Sequence, residues 1–495
     1  MLRKVFIIFL MAWMCGSIFT GCSPGKKSSD SSVIPGGAQG DGKLDYTREE
    51  EQQLLDDTFR IDIKTITALF DYYPSAEKPY AECGAVVVFT MRPGQSRAIV
   101  HFTPAVQDKA SVGDIYLDGE FLDINSESDV RIVQLTPSSQ KALEFQRDLA
   151  ENRDHILTMA YNLNFPTRGY YPRFSSNVND VLGNGNEAFF PTINSPHELA
   201  RHFLTFRIQD EKQYRFLGSG LVRMRPPPFF NNWSLDTEQE VASYTVMFVL
   251  VPWGDSVGDL RTIDGVDVNI AAFIDGASID KAYSKLETWL PELREKLGPF
   301  PMPRGLSIFL TESGGGMEYY GGTISSVNVL EHEVFHMYYG CSTINKTYRD
   351  SWLDEAIDMW YENSKLNSFR AISETYRSDI VCGRSPVDVG FDSRAYDQGA
   401  RIIQAVAVEL GGRDQMVDFL SYLYQEHNFA PFTTMDFLDY LEAYAGIDMR
   451  QRFLDWLYYK PENAADSSSA RTTPYLQPVD MTPPQSILDK YRHRN

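Results

Sequence analysis

The amino-acid sequence predicts an α+β chain with more than one domain, in which an antiparallel β-rich segment precedes a mainly helical one. The length of 495 residues suits two or three domains. Short β-branched and aromatic runs, broken by Gly, Pro and Asn, fill roughly residues 80–270 and are typical of antiparallel strands. From about Ser278 onward, apolar residues recur at three- and four-residue steps, which is typical of helices.

Composition limits the class of protein. The chain has 67 Asp+Glu against 46 Lys+Arg, for a net charge of −21. Because phosphates are repelled by such a charge, we expect no nucleic-acid partner. A hydrophobic content of 43% excludes wholesale disorder, and 5 Cys are too few for a disulfide-built scaffold.

The first element is a leader over residues 1–21. Two basic residues precede an apolar stretch of signal-peptide length, which ends in the letters FTGC at Cys22. This ending resembles the lipobox of bacterial lipoproteins, which implies a signal peptide cleaved before Cys22 and acylation of its thiol. The alternatives are an uncleaved anchor helix or an ordinary signal with a chance Cys.

Residues 22–45 are rich in Ser, Gly and Pro and are expected to form a flexible tether. Acyl chains on Cys22 would hold such a tether in a lipid bilayer. The expected location is therefore the cell envelope, either the outer membrane or the periplasmic face if the organism is Gram-negative.

Three further segments follow the tether. Residues 46–270 form an N-terminal segment, which starts with an acidic, helix-like pattern over 46–80 and continues as the β-rich domain. Residues 271–460 form the mainly helical domain, with helical patterns near 328–340, 351–365 and 396–410. A Pro- and Ser-rich irregular tail is expected over 461–495.

The sequence His332-Glu333-Val334-Phe335-His336 is an HExxH motif. Positions i and i+4 of a helix lie on one face, so both imidazoles can reach one metal ion. Glu333 is then placed beside the water that the metal activates. The alternative is an ordinary helix with two histidines.

A candidate third ligand is Glu355, which follows His336 by nineteen positions. This is the spacing of the gluzincins, and zinc hydrolases use three protein ligands. The sequence therefore predicts one Zn²⁺ per chain, held by His332, His336 and Glu355. The alternative for Glu355 is a solvated carboxylate at a helix start.

The letters HEVFHMYYG and WLDEAIDMWYE resemble the paired helices of the M1 family of zinc aminopeptidases. Tyr338 and Asp354 stand where that family usually has Trp and Asn. The resemblance implies a saddle-shaped N-terminal β domain, around the segment 189–208, and a thermolysin-like catalytic domain. The family's large C-terminal helical domain has no counterpart in the resemblance, which covers about residues 80–460.

Upstream, Gly315-Gly316-Met317-Glu318-Tyr319 resembles the family's GAMEN motif, with Tyr319 in place of Asn. The resemblance implies that Glu318 binds the substrate's free α-amino group and that Gly315 and Gly316 contribute to substrate binding. A buried ammonium needs such a carboxylate partner. The alternative is a Gly-rich turn with an incidental Glu.

Downstream, Tyr396 opens a segment that resembles the family's Y-x-K-G run, with Gln398 in place of Lys. The resemblance implies that the hydroxyl of Tyr396 donates to the oxyanion of the tetrahedral intermediate. Glu362 matches the family's second glutamate, and its implied role is to accept a hydrogen bond from a ligand imidazole. The alternative for Tyr396 is an aromatic residue of the core, and the alternative for Glu362 is an exposed carboxylate.

Other residues are weaker candidates. Many family members have a second amine-binding residue in the N-terminal domain, for which Asn184, Asn186 and Glu187 are candidates. Cys341 and Cys382 flank the motifs and either pair or remain buried thiols.

These observations predict a membrane-anchored zinc metallopeptidase that acts as an aminopeptidase on peptides with a free N-terminus. Cleavage is expected to proceed by Glu333-assisted attack of a zinc-activated water. The alternatives are a metallo-endopeptidase of the same fold and a non-catalytic peptide-binding lipoprotein.

Overall fold

The computed structural model describes most of the chain between residues 48 and 457. The described residues are 48–76, 78–135, 141–165, 174–176, 185–225, 231–274, 278–312, 315–364, 370–373, 376, 380–381, 387, 393–427 and 429–457. The predicted leader, Cys22, the tether, Asn184, Cys382 and the tail over 461–495 lie outside these residues. Within them, we find no helix with both the length and the apolar character that crossing a bilayer requires.

Strands dominate the first half of the described residues and helices the second. The strands are β1 (Ile61–Tyr73), β2 (Tyr80–Met91), β3 (Ile99–Val100), β4 (Val112–Leu117), β5 (Glu120–Leu122), β6 (Val130–Gln134), β7 (Lys141–Phe145), β8 (His155–Asn164), β9 (Phe174–Ser175), β10 (Leu199–Ile208), β11 (Tyr214–Gly218), β12 (Leu221–Met224), β13 (Asn232–Asp236), β14 (Val241–Ala242), β15 (Phe248–Pro252), β16 (Ser256–Ile263), β17 (Val266–Phe273), β18 (Leu306–Leu310), β19 (Gly316–Tyr319), β20 (Gly322–Ser325), β21 (Ile344–Asn345) and β22 (Pro431–Phe432). The α-helices are α1 (Arg48–Phe59), α2 (Thr103–Gln107), α3 (Ile279–Lys296), α4 (Leu330–Phe335), α5 (Trp352–Ser364), α6 (Ala400–Leu410), α7 (Arg413–His427), α8 (Thr434–Ala445) and α9 (Arg450–Leu457). Short helical turns lie at Lys109–Ser111, Asn186–Ala188, Ser243–Thr245, Trp253–Asp255 and Ala395–Gly399.

The N-terminal part is built on a nine-stranded sheet. Its order is β12-β13-β10-β1-β2-β8-β4-β5, and β14 adds to β10. The pairs are antiparallel except β1 with β10, which is parallel. Along β10 every second residue is buried, which is the period-2 pattern of a strand with one face on the core. The predicted antiparallel β domain is therefore present, with one parallel pair.

The prediction of helix throughout residues 46–80 is wrong beyond Phe59. Helix α1 ends there, and Arg60 takes a left-handed backbone conformation with φ 59°. The chain then enters β1, where Ile61, Ile63 and Ile66 are buried against the other strands. Tertiary packing of these β-branched residues favours the strand over the helix that the acidic start suggested.

The second part combines a five-stranded sheet with helices. The sheet order is β16-β17-β18-β20-β19, with β17, β18 and β20 parallel to one another. Strand pairing thus divides the chain before Ser256, whereas the sequence pattern placed the division at residue 270. Helix α3 packs on this sheet, and the Tyr283 hydroxyl donates to the carbonyl of Val268 at 3.0 Å. An N-terminal β domain followed by a mainly helical domain confirms the predicted fold class.

The two parts meet at a buried apolar cluster. Its members come from both sheets: Leu217, Met247, Val249, Val251, Ala271, Phe309, Tyr319 and Ile324. The amide of Tyr320 donates to the carbonyl of Thr245 at 2.8 Å across this junction. The junction therefore holds β19, the edge strand that carries Glu318, against the N-terminal part.

Candidate metal centre and substrate site

Helix α4 carries the first two predicted metal ligands. His332 and His336 lie one turn apart on the same face, with their Nε2 atoms 3.3 Å apart. Both side chains are buried. Nδ1 of His336 lies 3.0 Å from the carbonyl oxygen of Tyr339, and this partner leaves Nε2 free for a metal ion.

Glu355 on α5 completes the cluster. Its Oε2 lies 3.2 Å from Nε2 of His332 and 3.6 Å from Nε2 of His336. A tetrahedral zinc ion with bonds of about 2.0–2.1 Å separates its ligand atoms by roughly 3.3–3.4 Å. Oε2 of Glu355 is buried without a hydrogen bond. The three atoms therefore match three corners of a zinc site, and the residues fit the metal.

The start of α5 is fixed by a buried aspartate. Asp350 accepts hydrogen bonds from the hydroxyl of Thr347 at 2.8 Å and from the amide and hydroxyl of Thr434 at 2.8 and 2.9 Å. The indole Nε1 of Trp352 also donates to the Thr434 hydroxyl, at 3.0 Å. These bonds tie the first turn of α5 to α8 and so set the position of Glu355.

The charges around the cluster favour a cation between the carboxylates. Burial lowers the pKa of His332, but Asp358 and Glu355 more than offset it and raise that pKa to about 10. Burial raises the pKa of Glu355, but His332 and His336 outweigh it and hold the pKa well below its usual range. Carboxylates that stabilise positive charge on two imidazoles can equally stabilise a bound metal ion.

Asp358 is a site residue that the sequence analysis missed. It is fully buried, and its Oδ2 lies 3.3 Å from Nδ1 of His332. Glu362, to which the resemblance assigned contact with a ligand imidazole, lies one turn further along α5. Burial raises the pKa of Asp358, and the charge of Glu362 adds to that shift. The carboxylate nearest to the histidines, after Glu355, is therefore Asp358. Its spacing of three residues from Glu355 was the available signal.

Glu333 is buried on α4 beside the cluster. Burial raises its pKa to about 8, with His332 and His336 opposing that shift. The main chain of Gly316 lies directly against this carboxylate, because a Cβ built on Gly316 would come within 2.2 Å of Glu333 Oε1. The Gly-rich motif thus makes room for the predicted base, while the carbonyl of Gly315 accepts from the amide of Ser326.

Glu318 and Tyr319 point to opposite sides of β19. Glu318 shares its face with Gly316, two residues earlier, so its side chain points to the side on which Glu333 lies. Burial raises the pKa of Glu318, the charge of His336 lowers it and the charge of Glu355 raises it. Tyr319 is buried in the junction cluster, and its hydroxyl donates to the carbonyl of Ser176 at 3.2 Å. The change from Asn to Tyr therefore falls on the face away from the site.

Tyr396 lies in a π-helical turn, a feature that is frequent at functional sites. Its hydroxyl donates to Oε1 of Glu355 at 2.8 Å, and its ring centroid is 6.2 Å from that of His332. Gly399 allows this approach, because a Cβ there would lie 2.8 Å from the Cβ of Ala356 on α5. The structure thus brings Tyr396 to the metal ligands.

The weaker candidates have other partners. The side-chain amide of Asn186 donates to the carbonyls of Ser243 and Val246 at 2.6 and 2.8 Å, which is a structural arrangement. Glu187 accepts from Asn194 at 3.0 Å, and burial raises its pKa to about 7. Cys341 is buried, and its pairing with Cys382, which lies outside the described residues, remains a prediction.

Two tyrosines near the candidate site were missed by sequence reasoning. Tyr244, in the N-terminal part, and Tyr348, before α5, have ring centroids 6.2 Å apart. Burial raises the pKa of Tyr244, and the charges of Tyr348, Asp354 and Glu318 add to the shift. The N-terminal part therefore contributes Tyr244 to the surroundings of the candidate site. No sequence motif predicted this, because Tyr244 and Glu318 belong to segments that are far apart in the sequence.

Comparison with known proteins finds relatives of low sequence identity that are peptidases or associated with one. No family model matches the chain. Human aminopeptidase B is 22% identical over 301 residues, which cover 52% of this chain and 44% of that protein. Tricorn protease-interacting factor F2 of Thermoplasma volcanium is 21% identical over 176 residues, which cover 31% of this chain and 22% of that protein. The chain thus spans less than half the length of the curated relatives that it matches.

Solved structures share the fold over most of the chain. An M1 zinc metallopeptidase from Deinococcus radiodurans, bound to a Tyr-Ser-Ala substrate, matches with a TM-score of 0.60 at 16% identity, covering 81% of this chain and 95% of that chain. Leukotriene A4 hydrolase from Saccharomyces cerevisiae matches with a TM-score of 0.62 at 12% identity, covering 85% of this chain and 71% of that chain. The chain therefore has the fold of the M1 zinc metallopeptidases, with a His–His–Glu cluster that fits a zinc ion.

Proposed function

We propose that the chain is a zinc-dependent aminopeptidase. The observation that carries the proposal is the position of Glu318, a half-buried carboxylate on the face of β19 that points towards Glu333 and the His–His–Glu cluster. A carboxylate that neither binds the metal nor serves as the base is suited to hold a substrate's α-ammonium group. It would fix the first peptide bond at the metal.

The comparisons support this choice of reaction. The curated relative with the longest match among those described above is an aminopeptidase, and one structural neighbour holds a Tyr-Ser-Ala substrate. A two-domain M1 zinc metallopeptidase bound to L-tryptophan matches with a TM-score of 0.60 at 15% identity, covering 81% of this chain and 95% of that chain. These neighbours bind a short peptide and a free amino acid, which are the expected substrate and product classes here.

The chain's own residues can carry the proton transfers. When bound, zinc supplies Lewis-acid activation of water and of the scissile carbonyl. Glu333 takes the proton of the attacking water and delivers it to the nitrogen of the leaving amine. Tyr396 exchanges its hydrogen bond to Glu355 for one to the oxyanion, a contribution of about 2.7–4 kcal/mol for such a donor. Glu318 keeps the substrate's N-terminus in register.

The test compares one peptide with a free N-terminus and the same peptide with an acetylated N-terminus. The zinc-loaded protein should release single residues from the free peptide and leave the blocked one intact. Glu318→Ala should slow cleavage of the free peptide by roughly ten- to hundred-fold, because a charge-assisted hydrogen bond is lost. Glu312→Ala, at an exposed carboxylate nearby, is the matched control and should change nothing.

Two outcomes would replace the proposal. Internal cleavage of the blocked peptide, as fast as trimming of the free one, would favour the metallo-endopeptidase alternative. Tight peptide binding without turnover by the zinc-loaded protein would favour the peptide-binding alternative. Mass spectrometry of the products and a parallel binding measurement distinguish all three.

We also propose that the protein is anchored to the cell envelope by acylated Cys22. Its support is the leader over residues 1–21 with its lipobox-like ending. Cys22→Ala should move the protein from the membrane fraction to the soluble or precursor pool. Unchanged fractionation, with no acyl label on the wild type, would contradict the anchor.

A further inference from the structure

The two ligand histidines differ in the partner of the nitrogen that faces away from the metal. For His336, Nδ1 has the carbonyl oxygen of Tyr339 at 3.0 Å. For His332, Nδ1 has Oδ2 of Asp358 at 3.3 Å. When Nε2 binds a metal, Nδ1 must carry the hydrogen, and in a buried site that hydrogen needs an acceptor. Each histidine therefore has one oxygen close to its Nδ1, a carbonyl oxygen for His336 and a carboxylate oxygen for His332.

We propose that Asp358 is a positioning residue of the metal centre, which accepts the Nδ1 hydrogen of His332 and so presents Nε2 to the metal. The proposal rests on the zinc site of the proposed function and does not depend on peptide cleavage. Asp358 lies three residues after Glu355, so one face of α5 supplies both a ligand and the carboxylate behind a ligand.

The burial of Asp358 supports a role that depends on the metal. Its exposure is 0%, and both carboxylate oxygens are buried without a hydrogen bond. A buried carboxylate is costly unless it is paired. Its Oδ2 also lies 3.3 Å from Nε2 of His336, so among the described residues the ion-pair contacts of Asp358 are with the two ligand imidazoles.

The number of carboxylates also suits a metal ion. Glu355 and Asp358 both lie within 3.3 Å of a ligand imidazole. Two carboxylates balance the charge of a divalent ion, to which neutral imidazoles contribute no charge.

The experiment compares Asp358→Asn with Glu362→Gln, because the family resemblance assigned the role to Glu362. Asp414→Asn, at an exposed aspartate of α7, is the matched control. Zinc affinity is measured by competition with a chelator of known affinity. Asp358→Asn should bind zinc ten- to hundred-fold more weakly, the usual cost of losing such a partner. The other two variants should stay within threefold of the wild type.

Two more measurements separate positioning from packing. The metal-free Asp358→Asn protein should still unfold in one cooperative transition, which distinguishes a positioning effect from a failure to fold. Its cobalt-loaded form should show shifted d–d absorption bands, since the His332 ring is no longer fixed.

The proposal fails if zinc affinity falls less than tenfold, or if Glu362→Gln weakens it more than Asp358→Asn does. It also fails if the metal-free variant is less stable while its cobalt spectrum at saturation equals that of the wild type. These readouts are independent of peptidase activity, so failure of the proposed function would leave them interpretable.

Discussion

Two buried histidines of the N-terminal part, His101 and His202, have an electrostatic environment opposite to that of His332 in the metal centre. In the N-terminal part, burial lowers the pKa of His101 to about 4 and that of His202 to about 3. In the metal centre, His332 is also buried, yet neighbouring carboxylates raise its pKa to about 10. Burial is similar in all three, so the difference comes from their partners.

Those partners are neutral for His101 and His202 and charged for His332. His101 accepts from the amide of Asn194 at 2.7 Å, and His202 shares a hydrogen bond with the hydroxyl of Ser243 at 2.9 Å. His332 has two carboxylates, Glu355 and Asp358, within 3.3 Å. For these three histidines, two buried carboxylate partners are what distinguishes the candidate metal site from a structural position.

The largest effect that distinguishes the metal-centre histidines from His101 and His202 is loss of the metal. His336→Ala should lower zinc affinity by several kcal/mol and abolish turnover, because one of three ligands is gone. His202→Gln should keep one zinc ion per folded chain, since that histidine lies in the N-terminal part. Elemental analysis of folded protein checks both. Zinc loss in His202→Gln with zinc retention in His336→Ala would contradict the assignment of His336 as a metal ligand.

The next effect compares two buried carboxylates with raised pKa values, Glu333 at the metal centre and Glu187 in the N-terminal part. Glu333→Gln should keep the metal but lower kcat by roughly 10²–10⁴-fold, because the amide cannot take a proton. Glu187→Gln, whose carboxylate accepts from Asn194 in the N-terminal part, should retain turnover. Steady-state kinetics with measured zinc content tests the pair. Equal losses in both variants would show that burial, rather than position at the metal, sets the effect.

A smaller effect is expected from crowding the base. Gly316→Ala places a Cβ within 2.2 Å of Glu333 Oε1, so the carboxylate must move. We expect kcat to fall roughly ten- to hundred-fold with zinc retained, since displacement of a reacting group by about 1 Å can cost that much. Gly254→Ala is the control, because a Cβ there meets nothing within 4 Å. An unchanged kcat in Gly316→Ala would show that the Glu333 carboxylate can shift away from the new Cβ without loss of its catalytic position.

Local spacing was sufficient to predict much of the metal centre. His332 and His336 stand at i and i+4 of one helix, and Glu355 follows at a fixed interval, so the periodicity of helices places all three. The fold class was predictable for the same reason, because hydrophobic periods of 2 and 3.6 residues are local properties.

The rest depended on contacts between distant segments. Asp358 was overlooked because the family resemblance directed attention to Glu362, although both lie on α5. Tyr244 lies near the site only because the N-terminal part packs against β19. Similarly, β1 is a strand because Ile61 and Ile63 pack against β2 and other strands, rather than because of local propensity. Such long-range packing leaves little trace in a short window of sequence.

The last effect is a pH dependence of stability, which His101 and His202 should produce and the histidines of the metal centre should not. His101 and His202 have folded pKa values of about 4 and about 3, against 6.5 in the unfolded chain. Between these values the unfolded state binds protons that the folded state does not, so stability falls as the pH falls below 6.5. Each buried imidazole should cost about 2–3 kcal/mol at pH 4.5, from 1.36 kcal/mol per pH unit.

The metal-centre histidines should add nothing to this acid loss. In metal-free protein the folded pKa of His332 lies above the unfolded value, so below pH 6.5 both states already hold the proton. Its stabilising contribution is instead lost as the pH rises through about 10. Urea unfolding of metal-free protein at pH 7 and 4.5 should therefore show a smaller acid loss in His202→Gln, by about 2–3 kcal/mol, and the wild-type loss in His332→Gln. An equal reduction in both variants would contradict the assignment, because it would place the two histidines in the same electrostatic class.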